Sequence, residues 1–425
     1  MSLLTRHGYI VDNDDFTTQH IDELTVASLP NPMYNPKPER FTVYDDRYDG
    51  TISVPRFWGE EHFGSSGCMF GRIEATDNLV FNGSLRSDLQ REAVEASLEQ
   101  LSERGGGVLS LPTGVGKTVI SLYIACQLKL KTLIVVHKTF LMDQWEERIR
   151  KFVPNARIGR LQQDVENVEG CDIVIGMLQS LAMREYDDET FDDFGLIIFD
   201  EVHVVPAPVL SRALLKLCAP NMLGLSATPV RKDGLSYVIH WFIGPTFFQR
   251  FLSDQSHVTV QILKHRPSRA LPFNMAAATS LICNMQDRNI IIVDKIADLV
   301  EFGHKVLLLS DRRAHCEKLL GMLKEYSIDC ALYMGGMKRA ELELSEKSQV
   351  MLGTFSQAKE GLDIPSLDAL ILASPRSDVV QACGRILHGK THLLPIIVDV
   401  VDQWSIGLAQ FRKRCVYYES AGFSF

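Results

Sequence analysis

From about residue 85 the chain alternates short, fully apolar runs with stretches whose apolar residues recur every three or four positions. The runs Val108–Leu111, Thr132–Val136, Asp172–Gly176, Leu196–Phe199 and Met222–Leu225 have the length of buried strands. Around them Leu89–Leu101, Lys117–Leu128, Leu141–Phe152 and Val209–Leu217 have helical spacing. This alternation predicts βαβ units and a parallel sheet covered on both faces, with ligands at the carboxyl ends of the strands. The pattern resumes later. Asp287–Phe302, Arg313–Tyr326, Arg339–Glu346 and Val379–Leu387 read as helices, and Val306–Leu309, Val350–Thr354, Ala369–Leu372 and Pro395–Val398 as strands. Ile406–Ser420 reads as a helix with basic and aromatic residues.

The first 84 residues have another texture. Pro30, Pro32, Pro36 and Pro38 interrupt any long element, and Phe41–Tyr44 and Thr51–Val54 suggest small strands. Trp58, Phe63 and Phe70 are read as core anchors before base-stacking platforms. The expected organisation is an α+β accessory domain at 1–84 and an α/β domain at 85–245. A connector with a helix follows at 246–285, then a second α/β domain at 286–405 and a helical tail at 406–425.

Composition narrows the partners. A length of 425 residues suits two to three domains. The net charge of −9 excludes a broadly basic coat, so any nucleic-acid contact must be a local groove. Nine scattered cysteines without a CxxC pair predict reduced thiols, and twelve histidines without ligand spacing predict no structural zinc. No apolar run reaches the ~18 residues of a membrane helix, and the N-terminus lacks a signal peptide's apolar core. An intracellular, reducing compartment (cytoplasm, nucleus or virion) and no membrane partner are expected.

The chemistry centres on Leu111-Pro112-Thr113-Gly114-Val115-Gly116-Lys117-Thr118, between an apolar strand and a helix. The first N–H groups of a helix lack intrahelical partners and carry partial positive charge, so this turn predicts a polyphosphate site. Gly114 and Gly116 allow close approach, Lys117 adds a point charge, and the Thr118 hydroxyl can ligate Mg²⁺. Leu111 stands where the usual pattern has glycine. A second strand ends in Asp200-Glu201-Val202-His203. Asp200 suits the Mg²⁺ shell, and Glu201 suits polarising an attacking water. A third ends in Ser226-Ala227-Thr228-Pro229, whose hydroxyls Ser226 and Thr228 suit a hydrogen-bond relay.

In this order the pieces resemble a superfamily 2 helicase, over about Leu85 to Val401. The resemblance implies two tandem RecA-like domains with parallel sheets, beside the small N-terminal α+β domain, and an ATP hydrolase acting on nucleic acid. Gln90 in Leu85–Gln90 matches the adenine-side motif. Lys138 and Thr139, in the stretch from Ile134 through Gln144-Trp145, then Gln179 and Ser180, in Gly176–Ser180, match the strand-gripping motifs of the first domain. Ser310, Gly335 and Thr354 match nucleic-acid motifs of the second. Gly361 and Asp363 lie in motif V, and Gln381 and Arg385 in motif VI. His203, Ser226 and Thr228 take coupling positions, and Lys117, Asp200, Glu201, Gln381 and Arg385 catalytic ones.

The triplet Arg231-Lys232-Asp233 and Phe242–Pro245 resemble the XPB-type branch, whose triplet is Arg-Glu-Asp. The endings Pro395–Asp402, Gln410, Arg414 and Tyr417–Tyr418 resemble the poxvirus transcript-release helicase and its relatives in large DNA viruses. Motif VI departs at His388, where the family has a second arginine, so the expectation is slow turnover or dependence on another cation such as Arg376 or Lys390, with a dispensable position as the alternative. The implied activity is ATP-dependent, 3′–5′ translocation on DNA in transcription or repair, with ATP and Mg²⁺ as cofactors and the transcription machinery as a partner. An RNA or RNA–DNA hybrid helicase, and an ATP-switched clamp with little unwinding, are the alternatives.

Overall fold

The computed structural model describes residues 3–29, 38–71, 73, 75–112, 114–204, 208, 211–227, 233–250, 257–359, 364, 366–387 and 393–425. The chain divides into two compact units, Met1–Arg250 and Phe251–Phe425.

The first unit is built on an eight-stranded sheet. Its strands are β1 (Gly106–Ser110), β2 (Thr132–Val136), β3 (Ile158–Gln162), β4 (Val165–Asn167), β5 (Ile173–Met177), β6 (Leu196–Asp200), β7 (Asn221–Ser226) and β8 (Thr246–Gln249). The order is β4-β3-β5-β2-β6-β7-β1-β8. All neighbours run parallel except β3 and β4. Val, Ile and Leu fill the central strands because both faces are covered. Alternate residues face opposite sides. Leu109, Ile134 and Ile198 pack with Ala93, Ile120 and Trp145 from three helices, α1 (Asp88–Arg104), α2 (Lys117–Leu128) and α3 (Thr139–Phe152). Val108, Val135 and Phe199 share the other core with Tyr9 and Trp58 from the N-terminal segment.

That segment forms a five-stranded sheet, in which Gly8–Asp12 pairs antiparallel with Leu3–Thr5 and Thr51–Val54, beside the helix Arg56–Phe63. Trp58 is fully buried and Phe63 and Phe70 partly so, which makes these aromatics core. Arg56 reaches from this helix to the carbonyls of Arg104, Gly105, Ala219 and Pro220 at 3.0–3.3 Å. Residues 3–84 therefore share a core and a buried arginine with the sheet that follows.

The second unit holds six parallel strands: β9 (Thr259–His265), β10 (Val306–Ser310), β11 (Cys330–Tyr333), β12 (Val350–Thr354), β13 (Ala369–Leu372) and β14 (Ile396–Asp402). Their order is β9-β14-β13-β10-β12-β11. Helices α4 (Gln286–Glu301) and α5 (Arg313–Glu325) cover one face, and α6 (Val380–Gly384) and α7 (Ser405–Ser420) the other. The tail helix α7 is integral to this unit. Buried Arg414 forms a two-pronged pair with Asp399 of β14 at 2.8 Å, and the Tyr418 hydroxyl donates to the same carboxylate.

The central strands and long helices lie where the apolar pattern predicts them. The strands β3, β4, β8, β9 and β11 are additions. They stand toward the sheet edges, where polar residues break up the apolar run: β9 carries Gln261 and Lys264, and β3 carries Arg160. Residues 246–285, read as a connector, thus give β8 to the first sheet and β9 to the second, with the helix Met275–Cys283 after them. Of the expected helix Val209–Leu217, Val209 and Leu210 lie outside the described residues, Ser211–Leu214 is helical, and residues 215–217 are not. Among the described residues no helix is long and apolar enough to cross a membrane.

Candidate functional site

In the first unit the expected site residues gather at the carboxyl ends of parallel strands. β1 leads into the loop at 111–116, and α2 begins at Lys117. Gly114 and Gly116 have φ of 84° and 91°, which an L side chain rarely adopts. Leu111, in the usual glycine position, is fully buried, and its N–H donates to the Ser226 carbonyl at 3.1 Å. It anchors the loop root to the end of β7. Lys117 Nζ folds over the loop and donates to the carbonyls of Leu111 and Pro112, at 2.9 and 3.2 Å. Val115 and Thr118 are half-buried in the same turn, while Thr113 lies outside the described residues.

Gln90, in the first turn of α1, belongs to this loop physically. Its Nε2 donates to the Val115 carbonyl at 2.7 Å, and its Oε1 accepts from the Arg86 N–H at 2.6 Å. A Cβ at Gly116 would stand 2.7 Å from that Nε2. Ser87 Oγ caps the helix by accepting from the Gln90 N–H.

Two strands away β6 ends in Asp200, with Glu201 next. Burial first, and then the Glu201 charge, push the Asp200 carboxyl up to about 6, against the pull of the Trp145 indole and the Lys117 ammonium. Trp145 Nε1 donates to Asp200 Oδ2 at 2.9 Å. Glu201 behaves oppositely. Burial works to raise its carboxyl, but contact with His203 and the charges of Lys117 and His203 hold it below the usual carboxylate range. Its Oε2 is buried, 3.2 Å from His203 Nδ1, without a well-aligned hydrogen-bond partner. The Glu201 backbone sits at φ 53°, a left-handed conformation that costs a non-glycine residue about 1 kcal/mol or more. The His203 Nδ1 also lies 3.4 Å from Ser226 Oγ, so His203 and Ser226 meet; Thr228 lies outside the described residues.

A Mg²⁺ ion fits this corner chemically. The Thr118 hydroxyl and an Asp200 oxygen are hard donors, Lys117 acts on both carboxylates, and Glu201 Oε2 is an acceptor awaiting a donor. Among the described residues no three His, Cys, Asp or Glu side chains form a metal-holding group.

The nucleic-acid candidates divide. Lys138 is the N-cap of α3, and Thr139 opens it, exposed, its Oγ1 accepting from Gln162 at 3.0 Å. Gln179 lies exposed after β5 and donates to the His137 carbonyl at 3.0 Å. Ser180 departs from expectation: it is buried, and its hydroxyl accepts from the Gln163 N–H at 2.9 Å, holding the turn between β3 and β4.

Ser310 departs further. It is fully buried, 2.9 Å from His315 Nδ1, and accepts from the Arg312 N–H at 3.2 Å. That hydroxyl stabilises the start of α5 and cannot reach a phosphate. Thr354 ends β12 with its hydroxyl 3.0 Å from Ser356 Oγ, and Gly335 follows β11 with its carbonyl 3.4 Å from Arg313 Nη1.

Gln381 and Arg385 are half-buried in α6 and at its C-cap. Arg376, a candidate substitute cation, is tied to Asp311 at 2.6 Å and lies over the Phe355 ring. Gly361, Asp363, Arg231, Lys232, His388 and Lys390 lie outside the described residues.

Two residues of the first unit escaped sequence reasoning as site members. His137 follows β2, the strand beside β6. Burial and Lys138 lower its pKa to about 4 against the Glu201 charge, so it is neutral at pH 7. Trp145 stands only as part of a strand-gripping motif in the sequence. A buried indole requires a hydrogen-bond partner, but only the fold reveals that the partner is Asp200.

Residues 84–231 match the family described as "Type III restriction enzyme, res subunit". The chain is 33% identical over 424 residues to a protein of Acanthamoeba polyphaga mimivirus named for an ATP-dependent RNA helicase, covering 94% of this chain and 81% of the relative. It is 27% identical over 374 residues to a protein of Invertebrate iridescent virus 6 named for a helicase, covering 80% and 82%. Among solved structures, the ATP-dependent Type ISP restriction-modification enzyme LlaBIII bound to DNA matches with a TM-score of 0.59 and 17% identity, over 80% of this chain and 30% of that one. S. cerevisiae Dbp5 bound to RNA and ADP BeF3 matches with a TM-score of 0.55 and 12% identity, over 78% and 88%. These two share the fold.

Proposed function

Because the chain belongs to the superfamily 2 helicases represented in large DNA viruses, we propose that it hydrolyses ATP to move along nucleic acid and displace a strand. The observation that carries this reading is that the loop after β1 and the end of β6 bring Lys117 near enough for its charge to act on both Asp200 and Glu201. Backbone N–H groups at 114–118 and the Lys117 ammonium hold the phosphates of ATP. Thr118 and Asp200 hold Mg²⁺, which when bound neutralises phosphate charge. Glu201 stays ionised at neutral pH, and its Oε2 accepts a proton from the attacking water. Gln90 keeps the loop in shape as well as lying on the adenine side.

In the second unit the family motifs give Gln381 and Arg385 catalytic roles, Arg385 as the cation for charge that develops on a transferred phosphoryl group, and give Gly361 and Asp363 of motif V nucleotide-binding roles. His203 and Ser226 pass the state of Glu201 to the end of β7, and Thr228 extends that relay. Lys138, Thr139 and Gln179 hold polymer phosphates on the first unit, and Gly335 and Thr354 on the second. Such donors grip without reading sequence, consistent with an acidic chain. The polymer we favour is DNA, tracked 3′ to 5′, in transcript release or repair. An RNA substrate is the second reading, supported by the name of the mimivirus relative.

ATPase rates with single-stranded DNA, duplex DNA and RNA decide between these polymers, and strand displacement separates a motor from a clamp. Lys117→Ala and Glu201→Gln test the site: substantial turnover surviving both changes refutes it.

A further inference from the structure

The fully buried Trp145 has one polar atom, and that atom is spent on the carboxylate at the heart of the site. Its indole N–H donates to Asp200 Oδ2 at 2.9 Å. The residue sits in the second turn of α3, whose Leu141, Met142, Ile149 and Phe152 are also buried, so the helix moves as one body with the indole. Thr139 opens the same helix, about 9 Å away along its axis at 1.5 Å per residue. It is exposed, and its N-cap, Lys138, makes no side-chain cap. One end of a rigid element therefore faces solvent, where the proposed function puts a polymer phosphate, and its interior holds Asp200.

We propose that Trp145 is a positioning residue: its indole N–H fixes Asp200 Oδ2, leaving Oδ1 for the metal–nucleotide side, and conveys to that carboxylate the engagement of a polynucleotide at the first turn of α3. The inference rests on the proposed function for its polymer and nucleotide. The link itself is a single charge-assisted hydrogen bond across a packed helix. Without it the Asp200 carboxylate keeps its contact with the Glu201 backbone but loses the donor that fixes Oδ2, while the loop between β1 and α2 stays as it is. The expected signature is a split, with turnover lost and ATP binding kept.

The test uses the full chain labelled with 5-fluorotryptophan, which gives four fluorine resonances, one per tryptophan. Trp145→Phe assigns the signal; should that variant not fold, Asp200→Asn assigns it through the changed partner. Adding a short oligo(dT) strand without nucleotide should shift the Trp145 signal, and the double variant Lys138→Ala/Thr139→Ala should abolish the shift. Trp145→Phe should lower oligo(dT)-stimulated kcat roughly tenfold, the scale of one hydrogen bond to a charged group, with the KM for ATP little changed. Met142→Ala, buried on the same helix, should lower thermal stability without that split. If oligo(dT) binds and stimulates turnover while the Trp145 signal stays fixed, or if Trp145→Phe keeps full stimulation, the inference is overturned and the function stands. If neither DNA nor RNA binds, both fall.

Discussion

The Gln90 carboxamide and the Val115 carbonyl are joined at 2.7 Å, so the first turn of one helix holds the loop that starts the next. Gln90→Ala removes that donor and the acceptor for the Arg86 N–H together. Leaving such groups unpaired costs about 1–3 kcal/mol. The expected result is a lower denaturation midpoint and a raised KM for ATP with a smaller change in kcat, read by denaturant titration and steady-state ATPase.

Lys117→Ala and Glu201→Gln should separate binding from chemistry. Each should cut turnover by about 10² or more, the scale of a lost transition-state stabiliser. Glu201→Gln keeps the phosphate loop intact, so a fluorescent ATP analogue should bind it nearly as well as the parent, while Lys117→Ala should bind it more weakly.

The left-handed backbone at Glu201 predicts a trade of stability against activity. Glycine adopts φ 53° without strain, so Glu201→Gly should fold as well as the parent or better, by up to about 1 kcal/mol, while losing turnover. Thermal melts and ATPase assays on the same sample check both halves.

The two units should respond to pH in opposite directions. His265 is held between Asp402 and Asp287, at 2.9 and 3.1 Å, and hydrogen bonding to Asp402 raises its pKa in spite of burial. Its contribution is complete below the ordinary histidine value and disappears as pH rises through the raised folded value. The second unit should therefore lose stability as pH rises above neutrality, and His265→Asn should flatten that slope. In the first unit, burial works to raise the Asp172 carboxyl, but hydrogen bonds from Arg157, Thr76 and Asn78 outweigh it and set the pKa at about 2. That contribution is complete above the ordinary aspartate value and is lost as pH falls toward 2. Melts followed by hydrogen exchange resolve the two units.

The central strands were legible because strands covered on both faces are uninterrupted runs of Val, Ile and Leu, as in Thr132–Val136 and Leu196–Phe199. Edge strands such as Thr259–His265 were not, since polar residues dilute the signal. Motifs located the glycine turn before Lys117 and the carboxylates Asp200 and Glu201, which the fold does set at the carboxyl ends of parallel strands, because such motifs are runs of adjacent residues. They failed for Ser180 and Ser310, where a motif position says nothing about which way a hydroxyl turns, and both hydroxyls are consumed by local backbone. Trp145 and His137 act through neighbours distant in the chain, on Asp200 and Glu201, and spacing does not encode such meetings.

Arg56 gives the first 84 residues a meaning beyond appendage. Its guanidinium is the shared donor for four main-chain carbonyls at the foot of the motor sheet, two closing α1 and two preceding β7. Cutting the chain near residue 85 would take this donor from all four, leaving the Gly105 carbonyl only its bond from the Met222 N–H, and would bare the apolar face now roofed by Tyr9 and Trp58. Shortened forms that begin near residue 85 should therefore precipitate instead of yielding a minimal motor, and the front of the polypeptide is better regarded as the chassis on which the engine is mounted.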